Sequence, residues 1–177
     1  MRVITGTAKG RKLKTLEGEH VRPTIERVKE AVFSIIQFEV EGRRVLDLFA
    51  GSGQLGIEAL SRGAASAVFI DSDKDAAQIV KANLEATALG EKATVLQTDS
   101  IAFLQTSGLT FDIVFLDPPY STGLLQKALP LVGEKMAPGG IIICEAPFAE
   151  KLPETAGAFK LNRVYKYGKT AITTYRL

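Results

Sequence analysis

RVLDLFAGSGQLG, residues 44–56, reads as a strand, a turn and the start of a helix. RVLDLF (44–49) is a short apolar run, and AGSG (50–53) supplies glycines where a chain turns sharply. A helix over about 54–62 follows and stops at Gly63. Downstream, the pattern repeats. Residues 67–70 form a strand ending at Asp71. Ser72 with Asp75 gives an S-x-x-D start for a helix to about 88. A strand at 93–97, a short helix at 100–106 and a strand at 111–117 come next. The turn Pro118-Pro119-Tyr120, a helix at 122–135 and a strand at 140–145 complete the series. Residues 160–176 read as a hairpin turning at Tyr167-Gly168-Lys169. Upstream, Arg22-Pro23 ends a loop, since proline biases its predecessor away from helix. Thr24 is the expected N-cap of a helix over 24–38, with Ile25, Val28, Ala31, Val32, Ile35 and Ile36 at three-to-four spacing. Residues 2–16 read as a β-hairpin turning at TAKG.

Strands that alternate with helices, each strand apolar throughout, imply an α/β fold with a parallel sheet covered on both faces. The expectation is a Rossmann-like, mostly parallel, doubly wound sheet. An antiparallel C-terminal hairpin closes one edge, and a small hairpin-and-helix extension precedes the sheet. The division expected is 1–40 for the extension and 41–177 for the main domain. In such sheets ligands bind beyond the carboxyl ends of the strands, near the switch point.

Composition bounds the partners. The chain has 177 residues, 46% hydrophobic and 24% charged, which suits a globular domain and argues against disorder. Its one cysteine, Cys144, excludes an internal disulfide framework and a cysteine-based zinc site. With His20 the single histidine, metal and Ser-His-Asp chemistry are not expected. No apolar run approaches membrane-spanning length and no signal-peptide pattern opens the chain, so a cytoplasmic protein is expected. The net charge of +2 hides a pattern. Residues 1–44 carry ten basic and six acidic groups (net +4), 45–150 six and thirteen (net −7), and 151–177 six and one (net +5).

Gly51-x-Gly53-x-x-Gly56 matches the dinucleotide fingerprint, and Asp71 lies 20 residues past Gly51, right for an acid on ribose hydroxyls. Asp47, at the strand end, separates two cofactors. A carboxylate there would repel a pyrophosphate. It would suit a cation such as the amine of S-adenosylmethionine, or could simply cap the turn. The second cluster is Asp117-Pro118-Pro119-Tyr120. Two prolines remove two amide donors and stiffen the turn. What remains is acceptor-rich and suits an amino group, and Tyr120 offers a face on which a base stacks.

VLDLFAGSG, the Asp71 strand end, Asp99 and DPPY together resemble the S-adenosylmethionine-dependent methyltransferases that modify base amino groups, over about residues 44–145. GTAKGRKL (6–13), RPTIERVKEAVFSII (22–36) and DLFAGSGQLGIEALSRGA (47–64) narrow the resemblance. They are similar to the RsmD-type 16S ribosomal RNA guanine-N2 methyltransferases over nearly the whole chain. The resemblance implies a class I methyltransferase fold and S-adenosylmethionine as cofactor. It implies cofactor contacts at Asp47, Ala50, Gly51, Ser52, Gly53, Asp71, Asp99 and Ser100, and chemistry at Asp117, Pro118, Pro119 and Tyr120. The family often has Glu at the second strand end, where this chain has the shorter Asp71. Lys9, Arg11, Lys12, Lys14, Arg22 and Arg27 are then candidate phosphate contacts to 16S rRNA, alone or in a small subunit or its precursor. Pro23-Thr24 could serve RNA or cofactor. A monomer without metal or membrane is expected. Adenine N6 or cytosine N4 also suits DPPY. A non-catalytic RNA-binding protein and an NAD-type oxidoreductase are the remaining alternatives.

Overall fold

Neighbouring residues on each central strand serve opposite faces of one sheet. The computed structural model describes residues 1–18 and 23–177. Its parallel strands are β1 (Arg44–Asp47), β2 (Ser66–Asp71), β3 (Ala93–Gln97), β4 (Phe111–Leu116) and β5 (Met136–Pro147). Val45, Phe69, Ile113 and Phe115 point into one core with α1 (Pro23–Ile35), α2 (Gln54–Ser61) and α3 (Lys74–Thr87). Leu46, Ile70, Val114 and Leu116 point into the other, with α4 (Ser100–Thr106) and α5 (Leu124–Gly133). That period-two alternation between two apolar layers is what a doubly wound sheet requires.

The C-terminal strands are β6 (Thr155–Ala156), β7 (Phe159–Tyr167) and β8 (Thr170–Arg176). The sheet order is β3-β2-β1-β4-β5-β8-β7-β6, with β8, β7 and β6 antiparallel. The expected hairpin is present and turns at Gly168-Lys169, with Gly168 at φ 61. The chain winds outward from β1 to β3, then crosses back to β4, so the switch point lies between β1 and β4. Gly56 lets α2 sit close on the sheet, because a Cβ there would lie 2.3 Å from Phe69 Cε1. Among the described residues no helix is long and apolar enough to cross a membrane.

Several local expectations need correction. The N-terminal hairpin is short and irregular: Arg2 bridges Lys12, and Val3, Gly10 and Leu13 N–H bond Arg11 O, Val3 O and Met1 O at 2.9, 2.9 and 2.8 Å. Other donors of the segment are taken elsewhere: Ile4 and Thr5 N–H bond the Glu58 carboxylate (2.9 and 3.0 Å), and Ala8 N–H bonds Ser61 Oγ (3.0 Å). Helix α1 starts at Pro23, a residue favoured at the first helical position, so Thr24 lies inside it and is not its cap. It also ends at Ile35, because the chain turns there to bury Val40 and leaves Phe38 91% exposed. Asp73, not Ser72, caps α3, accepting from Asp75 N–H at 2.8 Å. Strand β3 is a sheet edge with Leu96 exposed, so it is not apolar-covered like its neighbours. Helix α5 begins two residues later than 122, at Leu124, after Gly123 at φ 71. Strand β5 extends beyond 140–145 at both ends.

Val3, Ala8 and Leu13 are buried in the same core as Val28, Val45 and Ile57. Beneath them Lys29, itself buried, donates to Arg2 O at 2.8 Å and pairs with Glu58 at 3.2 Å. Glu58 also holds Arg62 Nε at 3.0 Å.

Candidate active site

Asp47 ends β1 between Phe69 of β2 and Phe115 of β4. Its side chain is buried, and Oδ2 accepts from Gly56 N–H at 3.0 Å. The carboxylate thus serves as an acceptor for the first turn of α2, whose cap Gly53 has none to offer. Burial pushes its pKa up to about 7; the Gly56 hydrogen bond opposes this and the charge of Asp71 adds to it.

Asp71, at the end of β2, holds the Gly-rich loop. Its Oδ2 accepts from Gly51 N–H and its Oδ1 from Asp73 N–H, both at 2.9 Å. Each oxygen keeps a second lone pair for a ligand. Gly53 sits at φ 79, where a Cβ would also press within 3.1 Å of both Val80 methyls. Asp99 caps α4 by accepting from Ala102 N–H at 2.8 Å, with Ser100 buried beside it.

Asn83 on α3 ties the loop to the N-terminal segment. Its Nδ2 donates to Ser52 O and to Lys14 O (2.9 Å each), and its Oδ1 accepts from Lys14 N–H at 2.7 Å. This brings Leu16 to the site wall.

Asp117 follows β4, with Pro118 buried and Pro119 exposed. Tyr120 is 51% exposed. Its hydroxyl lies beside the Glu145 carboxyl, near the end of β5, and the Thr170 hydroxyl of β8. Burial still holds Glu145 above the usual carboxylate range. Ser121 next to it adopts φ 60, uncommon for a residue with a side chain.

These parts line one cavity of about 600 Å³ at the switch point. Asp47, Ala50, Gly51, Ser52, Asp71, Asp99, Ser100 and all of Asp117–Tyr120 contribute to it. Gly53 does not line it and acts through the turn. The charged groups on the wall are Asp47, Asp71, Asp73, Asp99 and Asp117; among the described residues no Lys, Arg or His lines it. Leu16, Phe49, Leu55, Ala76 and Leu124 add apolar surface that reads as ordinary core in the sequence. Gln54 is also on the wall, and its Oε1 is buried with no hydrogen-bond partner among the described residues. A polar residue directly after the GSG turn was its only sequence signal.

Lys9, Arg11, Lys12 and Lys14 are exposed on the N-terminal segment, and Arg27 on α1; none lines the cavity. Arg22 and His20 lie outside the described residues. Cys144 is fully buried on β5, which pushes its thiol pKa up. No group of His, Cys, Asp and Glu among the described residues is arranged to hold a metal ion.

The family described as "Conserved hypothetical protein 95" matches residues 1–176. The putative rRNA methyltransferase YlbH of Bacillus subtilis is 42% identical, over 99% of this chain and 98% of its own length. The ribosomal RNA small subunit methyltransferase D of Escherichia coli is 35% identical, over 99% of this chain and 89% of its own. Among solved structures, a putative methyltransferase from Escherichia coli, yhhF, superposes with a TM-score of 0.85 at 35% identity, covering 99% of this chain and 96% of that one. The Thermus thermophilus 16S rRNA N2 G1207 methyltransferase, RsmC, solved with AdoMet and guanosine, gives 0.75 at 28% identity, covering 91% of this chain and 44% of its own. With its Rossmann-like sheet, this chain belongs to the conserved hypothetical protein 95 family, that of the RsmD-type small-subunit rRNA methyltransferases.

Proposed function

We propose that this protein transfers the methyl group of S-adenosylmethionine to the exocyclic N2 amine of a guanine in small-subunit rRNA. The observation that carries the cofactor reading is the sign of the cavity wall: five carboxylates and, among the described residues, no cation. A pyrophosphate would meet uniform repulsion there, whereas a sulfonium and an ammonium meet the opposite charge. The residues therefore fit S-adenosylmethionine and not a phosphate-bearing dinucleotide. Asp47 would face the amine, Asp71 the ribose hydroxyls, and the wall beside Asp99 and Ser100 the adenine.

When bound, the cofactor supplies an electrophilic methyl carbon; its C–S bond breaks as the C–N bond forms, and a neutral thioether leaves. The base amine is a poor nucleophile because its lone pair is shared with the ring. Asp117 and the Pro118 carbonyl accept its N–H bonds, localise that lone pair and aim it. The nitrogen sheds its proton readily once alkylated, so orientation is the main catalytic contribution, up to about 7–11 kcal/mol in well-held systems. Tyr120, with half its surface open, offsets part of the few kcal/mol needed to unstack the base. The exposed cations Lys9, Arg11, Lys12, Lys14 and Arg27 contact phosphates.

Small-subunit rRNA is supported by the methyltransferase D relatives, and guanine N2 by the RsmC structure, a 16S rRNA N2 G1207 methyltransferase solved with guanosine. The test is incubation with labelled S-adenosylmethionine and small ribosomal subunits from a strain deleted for this gene, followed by nucleoside analysis. Label in N2-methylguanosine is expected. Label in N6-methyladenosine or N4-methylcytidine would reassign the base, and no label in RNA would overturn the function. Asp117→Ala should abolish transfer with little loss of RNA binding; a non-catalytic RNA-binding role predicts no change.

A further inference from the structure

The net charge of +5 over residues 151–177 has no role in the cavity, since none of those residues lines it. Part of that charge protects a sheet edge. Lys160 and Arg163 lie on β7, which β6 covers only at Lys160 and Phe159, and cations on an open edge discourage strand pairing. Edge protection does not account for what gathers at the other end of the hairpin. Phe148, just after β5, is 47% exposed. Lys166 Nζ stands 4.3 Å from the centroid of its ring. Phe148 N–H donates to Lys169 O at 2.8 Å, in the turn between β7 and β8. The next residue, Thr170, is paired with Pro147, and its side chain lies beside the Tyr120 hydroxyl. An open aromatic ring and two exposed lysines therefore sit one residue away from Thr170, the neighbour of the tyrosine proposed to stack the target base. Glu150, the nearest acid in the chain, is engaged by Gln126 Nε2 of α5 at 3.1 Å.

We propose that Phe148, Lys166 and Lys169 form a second RNA-contact surface, which grips the unpaired strand flanking the target nucleotide. An aromatic platform beside cations is the arrangement that holds single-stranded nucleic acid: bases stack on the ring and phosphates meet the lysines. The proposal rests on the function proposed above. It extends that reading by having RNA span the cavity mouth, with the basic N-terminal segment on one side and the C-terminal turn on the other.

The test uses the full-length protein with Lys166→Ala/Lys169→Ala and, separately, Phe148→Ala. Binding to a 16S rRNA transcript and methylation of subunits from the deletion strain are both measured, with cofactor affinity and melting temperature as controls. The double variant should flatten the plot of log affinity against log salt by roughly 1.4, about 0.7 for each lost single-strand phosphate contact. Phe148→Ala should weaken RNA binding about tenfold, within the range for a base–aromatic stack. Both should raise KM for RNA and leave kcat at saturating RNA and cofactor affinity near wild type. Unchanged RNA affinity and salt slope in folded variants, beside an active wild type, would sink this surface alone. A defect seen with subunits but not with naked transcript would mean that it meets protein, and the RNA assignment fails. A wild type that binds S-adenosylmethionine but neither binds nor methylates RNA would remove the function reading itself, and this surface with it.

Discussion

The two basic flanks carry similar charge and are attached by opposite means. The C-terminal flank is held by a backbone ladder: β8 pairs with β5 over six positions and with β7 over seven. The N-terminal flank has one bridge and a few backbone bonds of its own, and borrows further partners from side chains. Glu58, Ser61 and Asn83 bond its backbone, and buried Lys29 joins Glu58 beneath it. A ladder spreads stability over many equivalent bonds that no single side chain controls. A polar network concentrates it in a few residues, each costly to remove because its partners stay buried. The contrast predicts one flank fragile to point substitution and the other tolerant.

The sharpest way to break it is Glu58→Ala. Removing that carboxylate strands Lys29 and leaves Ile4 and Thr5 N–H without their acceptor. Deleting one partner of a buried pair costs about 3–5 kcal/mol. Chemical denaturation should show a lower midpoint at similar slope. A loss under about 1 kcal/mol would erase the contrast. Asn83→Ala comes next. It leaves the Lys14 amide and two carbonyls unpaired, for about 1–3 kcal/mol. Because one of those carbonyls belongs to Ser52, S-adenosylhomocysteine affinity should fall as well, by calorimetry. A stability loss with intact cofactor affinity would show that the flank and the loop are not coupled.

The same distinction explains what the sequence reveals. Ladder-built parts follow from local pattern. Apolar runs and the AGSG turn predict β1 to β5, and Tyr167-Gly168-Lys169 predicts the last hairpin. The cavity was largely legible, because its carboxylates sit at or just past strand ends, and every proposed cofactor and catalytic position except Gly53 lines it. The N-terminal segment was only partly legible. RVITG and RKLKTL alternate like a hairpin and share backbone bonds, but the side chains that also hold the segment, Glu58, Ser61 and Asn83, lie 53 to 69 residues away on α2 and α3. No local rule announces them. Gln54 and Leu16 escaped for the same reason: only the closed fold turns a helix-start amide and a loop leucine into cavity wall.

Between the flanks, Asp47 gives a pH test. Its folded pKa, about 7, lies above the ordinary Asp value. From about pH 4 to 7 the folded state therefore holds the extra proton, and the free protein loses stability as pH rises through that window. A cationic cofactor favours the ionised form, so its binding should tighten as pH rises toward 7. The limit is about tenfold per pH unit, one proton released per cofactor bound. Asp47→Asn should flatten this profile in calorimetric titrations. A wild-type affinity independent of pH between 5.5 and 7 would separate Asp47 from the cofactor amine.

The smallest effect is expected at an ion pair that joins the C-terminal flank to the segment after α1. Arg176 of β8 reaches Glu39 with Nη2 at 2.9 and 3.1 Å from the two carboxylate oxygens. Both side chains are about one-third exposed, at 35% and 37%. Pairs this open contribute about 0.2–1 kcal/mol and are screened by salt. Arg176→Ala should therefore lower stability by no more than about 1 kcal/mol, with the difference shrinking toward zero in molar salt, because the ladder of β8 remains whole. A cost comparable to Glu58→Ala would mean that the C-terminal flank also hangs on one side chain, and that strand pairing is not what makes it robust.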